Sequence, residues 1–356
     1  VNIQENIPLA SMTTLHVGGP ARYFIDARTE TEVKDALDFA AQRSLPLFVL
    51  GGGSNLVVAD SGWPGLVLKI ALRGIEFEFE KDNMLFYAGA GESWDDLVAL
   101  TVGKDCAGIE CLSGIPGTVG GTPVQNVGAY GQEVSRTIAK VRALDIASGT
   151  SGEFTTEECA FAYRTSMFNS THKGKYIVLE VGYRLKLKGE PVVEYADLKK
   201  YFANTNGRPR LQDVRDAVRK IRQSKAMLIV PGDEDCRSAG SFFKNPLVTS
   251  MEADRVQTLA HARVPDKAMP RYPGENGSVK LSAAWLVEQA GFTKGHALGP
   301  VGISRKHTLA IVNRGGASAN DVIALKDEVQ KKVFDVWGVK LHPEPVFVGF
   351  DENGKP

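Results

Sequence analysis

Residues 113–131 read SGIPGTVGGTPVQNVGAYG, with six glycines, two prolines, one Gln and one Asn, and no charged side chain. Glycine has no Cβ and tolerates φ > 0, so such a stretch lets backbone approach a ligand closely. Successive N–H groups in turns of this kind form concave nests for anions. A second cluster, LGGGSNLVV, lies upstream at 50–58. Two phosphate-cradling segments in one half of a chain point to a dinucleotide, although either alone is equally well a glycine-rich surface loop. Downstream stand three side chains suited to chemistry. Ser241, in SAGSFFKNP at 238–246, sits between Gly240 and two aromatics, where a hydroxyl in an apolar wall can donate a proton to developing charge. Arg164, in YRTSMF at 163–168, can pair in two-pronged fashion with a carboxylate or phosphate. Glu344, between Pro343 and Pro345, is a carboxylate on a stiff extended segment. Taken singly, each has an ordinary structural explanation.

The elements that must position these residues are legible in outline. The segment 21–27 reads as a strand, and Thr29-x-x-Glu32 as a capping box that opens a helix with Val33, Leu37 and Ala40 inward. Pro46 precedes a strand at 47–50 that runs into Gly51-Gly52-Gly53; strand character continues at 57–58 and 66–70. Alternation over 75–90 predicts a hairpin, and Ser93 caps a helix with Leu97 and Leu100 inward. Strands are expected at 141–146 and 176–187. Leu211, Val214, Val218 and Ile221 recur at helical spacing. The basic residues of that helix, Arg208 to Lys225, read as a solvated face except near Lys225. A boundary falls at 227–237. Helices follow at 281–290, stopped by Gly291, and at 319–337, and the chain ends on a strand-like tail at 344–348.

Composition narrows the class. With 356 residues, two or three domains fit. Lys+Arg and Asp+Glu both number 42, a balance that argues against a nucleic-acid partner. No apolar run approaches the ~20 residues of a membrane span, and the N-terminal residues lack a basic start followed by an apolar core, so no signal peptide is expected. Cys106, Cys111, Cys159 and Cys236 show no C-x-x-C spacing, and no H-E-x-x-H occurs. They are expected as thiols in a reducing cytosol, with no metal site. The N-x-[ST] matches at Asn169 and Asn276 carry no weight there. Neither a G-x-G-x-x-G after the first strand nor a G-x-x-x-x-G-K-[ST] is present, so a dinucleotide would bind in neither a Rossmann nor a P-loop setting.

The ordered series LGGGSNLVV, GIPGTVGGTPVQNVGAYG, YRTSMF, SAGSFFKNP, VKLSAAWLVEQAG and LHPEP, spread from about residue 13 to 349, resembles the UDP-N-acetylenolpyruvoylglucosamine reductases, the MurB family of bacterial peptidoglycan synthesis. The resemblance implies an α+β chain. A PCMH-type FAD-binding fold of two subdomains, 1–72 and 73–226, would be followed by an α+β substrate-binding domain at 227–324. The tail from about 325 would return to the first subdomain. Non-covalent FAD would lie with its pyrophosphate on Gly51, Gly52, Gly53, Ser54 and Asn55. Ser113, Gly114, Pro116, Gly117, Gly120 and Gly121 would run beside it, followed by Gln125, Asn126, Gly128, Ala129 and Tyr130. No His occurs in either glycine cluster, so the covalent His–flavin link of some oxidases of this fold is not indicated.

The implied reaction is NADPH-dependent reduction of an enolpyruvyl ether to a lactyl ether, giving UDP-N-acetylmuramate in the bacterial cytoplasm. Arg164 would bind the substrate carboxylate and stabilise enolate-like charge, Ser241 would protonate the carbanion, and Glu344 would orient the site or share a proton. A serine hydroxyl is a poor acid at neutral pH, so a neighbouring charge or relay must assist it. Tyr195, Lys225, Asn245, Tyr272 and His307 match positions that bind the UDP-sugar, and Tyr195 marks the subtype with a tyrosine lid. A monomer with no nucleic-acid or membrane partner is expected. The alternatives are another FAD oxidase or dehydrogenase of the same fold, and a non-catalytic UDP-sugar or flavin-binding module.

Overall fold

Capping and turn chemistry set the local elements. Thr29 accepts the Glu32 amide while Glu32 returns to the Thr29 amide, and helix α1 runs Glu30–Gln42 with Val33, Ala36, Leu37 and Ala40 buried. Ser93 accepts the Asp96 amide and opens α2, Trp94–Gly103. Two further helices follow, α3 at Ala196–Phe202 and α4 at Leu211–Ser224. In the computed structural model, which describes residues 1–274 and 277–351, the chain divides into two compact units. Asn276 lies outside the described residues.

The first unit comprises Val1–Ile7, Ala21–Gly53 and Trp63–Leu228. It holds a four-stranded sheet in which Pro20–Ala27 and Leu47–Leu50 both pair in parallel with Trp63–Ile70. It also holds an antiparallel sheet ordered Ser151–Thr155, Ile138–Asp145, Tyr176–Leu187, Asn83–Gly89, Ile75–Glu80. The expected hairpin at 75–90 is the last pair. α1 and α2 pack onto one continuous core with Leu66, Leu68, Phe86, Trp94, Val181 and Tyr183, all under 2 % exposed.

The second unit comprises Pro8–Pro20, Ser54–Gly62 and Ile229–Pro356. Its helices are α5, Ser250–Arg263; α6, Ala283–Gln289; and α7, Ala319–Trp337. α6 starts two residues later than its hydrophobic pattern suggests, because Ser282 is the cap and accepts the Trp285 amide. Trp285 and Trp337 meet at 5.2 Å in the core of this unit, and Trp337 Nε1 donates to Leu286 O. The C-terminal strand Val346–Val348 pairs in parallel with Leu56–Val58, and both belong to this unit. Residues 1–72 therefore contribute to both units, because pairing with a partner some 290 positions away recruits 54–62 into the second.

Candidate active-site elements and family

In the first unit the two glycine clusters are pressed together. A Cβ on Gly52 would stand 2.5 Å from Gly117 Cα and 3.0 Å from Thr118 N, so only glycine fits there. Next to this contact the Thr118 hydroxyl oxygen is buried with no hydrogen-bond partner, 3.1 Å from where a Gly51 Cβ would stand. Native structures rarely leave such a group unsatisfied, and an absent ligand is one of its ordinary explanations. The segment that follows is laced to 90–94: Trp94 N donates to Gly117 O, Val119 N to Glu92 O and Gly120 N to Ala90 O.

The far end of the glycine segment is built around Arg164. Arg164 Nη2 donates to Gly128 O at 2.6 Å, Asn126 Nδ2 to Ala162 O at 3.1 Å, and Ser135 N to Asn126 Oδ1. Asn126, Tyr130 and Arg164 all have positive φ, of 46°, 49° and 56°. Left-handed backbone at three non-glycine residues costs energy and concentrates at functional sites. Tyr195, the N-cap of α3 and 45 % exposed, lays its ring edge-on to Tyr130 at 5.3 Å. Lys225, the C-cap of α4, pairs with Asp197 Oδ2 at 2.5 Å. Burial raises the Tyr130 phenol above its ordinary value, opposed by the Arg222 and Lys225 charges.

A basic cluster supports this wall from behind. Arg215 grips Asp95 through both carboxylate oxygens, at 2.6 and 3.0 Å, and Arg219 also pairs with Asp95. Asp95 Oδ1 accepts the Gly114 amide at 2.6 Å, while Arg222 Nε donates to Gly114 O at 3.1 Å. The solvated-face reading of this helix is corrected here: Arg215 and Arg222 are buried, and their heads point onto α2 and the glycine segment. Burial pushes the Asp95 carboxyl up, but the Arg215 pair and the Gly114 N–H outweigh it and hold its pKa below the ordinary value.

In the second unit, Ser241 follows Gly240, which is at φ +75°. Ser241 Oγ lies 3.4 Å from His307 Nε2. The next residue, Phe242, is fully buried and anchored on both sides: its N–H donates to Leu309 O, and its carbonyl accepts the Glu344 amide. Asn55 Nδ2 donates to Glu344 O at 3.3 Å, and the Ser54 carbonyl accepts from Thr14 Oγ1. Ser241, His307, Glu344, Ser54 and Asn55 are thus linked within one unit. Asn245 Oδ1 accepts the Ala283 amide at the start of α6, which gives it a capping role. Tyr272 is about half-exposed on the strand Arg271–Pro273, opposite Lys280.

Comparison with known proteins identifies the family. Residues 21–154 match the family model described as FAD binding domain, and residues 231–348 match that of the UDP-N-acetylenolpyruvoylglucosamine reductase C-terminal domain. The chain is 44% identical over 349 residues to the UDP-N-acetylenolpyruvoylglucosamine reductase of Thermobifida fusca, covering 97% of this chain and 98% of that protein. The chain belongs to the UDP-N-acetylenolpyruvoylglucosamine reductase family. The reductase of Saccharopolyspora erythraea is 45% identical over 96% of this chain and 94% of its own. The crystal structure of the reductase (MurB) from Thermus caldophilus superimposes with a TM-score of 0.66 at 26% identity, covering 98% of this chain and all of that one. The α+β, PCMH-type fold expected from the sequence is the fold of this reductase-family chain.

Two side chains of the glycine segment are occupied within the protein. Ser113 Oγ is buried and donates to Glu110 O, and the Asn126 amide is bonded to Ala162, Glu133 and Ser135. Thr118, Asp95, Arg215, Arg219 and Arg222 were not singled out by sequence. The spacing of the three arginines, four and then three residues apart on one helical face, was the available signal. Gly52→Ala tests the cradle. The added methyl meets backbone, so the variant should lose about 1–3 kcal/mol of stability and retain FAD at least tenfold less tightly by fluorescence titration. Gly103→Ala, whose Cβ would enter open space, is the control; equal behaviour of the two would refute the close-contact argument.

Proposed function

We propose that this protein reduces UDP-N-acetylglucosamine enolpyruvate to UDP-N-acetylmuramate, using FAD and NADPH, in the bacterial cytoplasm. The observation that carries this reading is family likeness over nearly the whole of both chains, with both family models matched. No helix among the described residues is long and apolar enough to cross a membrane. The three-part division of the chain and a monomeric state belong to the same proposal.

When bound, FAD would supply two-electron hydride chemistry between NADPH and the enolpyruvyl double bond. The residues of the first unit suit its phosphates and ring: Gly51 to Gly53 against Gly117, the buried Thr118 hydroxyl, and the 113–131 wall. Arg164 is assigned to the substrate carboxylate, where a fixed guanidinium stabilises negative charge as it builds beside the attacked carbon. Ser241 is assigned to protonate that carbon. Glu344, held through its backbone to Phe242, is assigned to orient the group and supply charge. Lys225, Tyr195, Asn245 and Tyr272 are assigned to the UDP portion, and His307 to the reacting end beside Ser241.

The test is anaerobic stopped-flow on reconstituted protein. NADPH should bleach the flavin band, and UDP-N-acetylglucosamine enolpyruvate should then restore it. A protein that cannot be reconstituted with FAD, or whose reduced flavin ignores the enolpyruvyl substrate, defeats the reading. Rapid re-oxidation by O₂ with an alcohol substrate would favour an oxidase of the same fold instead.

A further inference from the structure

We propose that His307 is the proton reservoir behind Ser241, a positioning residue that acts on the reaction through the serine hydroxyl. The inference rests on Ser241 being the proton donor and adds what that role lacks. An alcohol that gives up its proton at neutral pH leaves an alkoxide unless another group replaces the proton in the same event. The imidazole Nε2 of His307 stands 3.4 Å from Ser241 Oγ. Imidazole is the side chain whose ordinary titration falls between about pH 5 and 8.

The contact is held from both ends. On the serine side, Phe242 is fixed by Leu309 O and the Glu344 amide. On the histidine side, the turn at 304–310 is tied down. The buried Asp235 accepts Ser304 Oγ at 3.1 Å and Arg305 N at 2.9 Å, and Ser304 Oγ in turn accepts the amides of Lys306 and His307. Charged groups on this turn or bonded to it include Arg305, Lys306, Asp233, Asp235, Glu288 and Arg314, whose Nη2 donates to Ile303 O at 3.1 Å. Asp233 is paired with Lys306, Asp235 holds the turn, and Glu288 accepts Thr308 Oγ1 at 3.1 Å.

The step balances without a further reagent. The Ser241 O–H bond breaks as a C–H bond forms at the substrate carbanion. An Nε2–H bond of the His307 imidazolium breaks as a new O–H forms on Ser241, leaving neutral imidazole that solvent reprotonates. Nothing on either residue is oxidised or reduced. Delivery requires the imidazolium, so it is complete below the imidazole pKa and falls as pH rises through it.

His307→Gln and His307→Asn, made in the FAD-loaded protein, test this. Each keeps a polar amide near Ser241, and neither titrates. Flavin reduction by NADPH should stay within twofold of wild type. Re-oxidation at saturating UDP-N-acetylglucosamine enolpyruvate should slow at least tenfold, and its decline with rising pH should flatten. A readout independent of turnover is NMR of imidazole-labelled protein, in which Ser241→Ala should move the one histidine titration that His307→Gln deletes. Wild-type re-oxidation in both His307 variants with the pH limb intact, or a loss confined to KM, overturns the relay. If Ser241→Ala is slow while the His307 variants are not, only the relay fails; if Ser241→Ala itself re-oxidises normally, the proton-donor reading fails first.

Discussion

Ser241→Ala should leave reduction of the flavin by NADPH nearly intact and slow its re-oxidation by the enolpyruvyl substrate by roughly 100- to 10,000-fold, the range a positioned general acid contributes. The asymmetry follows from chemistry. Only the second half of the cycle places a carbanion that needs a proton, so a group that donates that proton has nothing to do in the first. The structural setting makes a folding explanation easy to separate. Ser241 is only partly buried, and the residue that anchors this segment is its neighbour Phe242, whose two backbone bonds the substitution leaves in place. The measurement is a pair of anaerobic stopped-flow traces on one preparation, with thermal unfolding alongside. An equal loss in both half-reactions at unchanged Tm would contradict the role, because it would point to cofactor placement instead.

What was legible in the sequence was whatever is encoded over short distances. Thr29 with Glu32, Ser93 with Asp96 and the alternation over 75–90 each declare a local geometry, and the elements stand where those signals put them. The glycine segment was legible as backbone that approaches something closely, since glycine has one physical use there. The left-handed residues Asn126, Tyr130 and Arg164 were not, because tertiary contacts such as Arg164 to Gly128 impose that conformation and composition does not. Nor was the fate of the α4 arginines. Their partner Asp95 is 120 positions away from Arg215 and sits in the first turn of another helix, where an acid is already explained by the helix dipole. The contact of Ser241 with His307 spans 66 positions and was likewise invisible, although the need for a group of that kind followed from serine chemistry alone.

Asp95→Ala should destabilise the first unit by about 3 kcal/mol, because it leaves the guanidinium of Arg215 buried without its counter-charge. Arg215 is only 10% exposed at its side chain, whereas Arg219, the second partner, is 37% exposed, so Arg219→Ala should cost far less. The carboxylate also holds the Gly114 amide, so its loss should free the start of the 113–131 wall and weaken FAD retention along with stability. Acid provides an independent check with a definite sign. Asp95 has a folded-state pKa below its unfolded value, so its contribution is fully present above the unfolded carboxyl value, about 3.9, and is lost as pH falls through the folded one. Urea unfolding of wild type and Asp95→Ala at pH 7 should therefore show a gap that narrows below about pH 4, the wild type losing stability faster than the variant. A variant within 0.5 kcal/mol of wild type at neutral pH, below the ordinary cost of removing a buried partner, or a gap that persists unchanged to pH 3, would show that α4 is held to the glycine wall by apolar contacts rather than by this ion cluster.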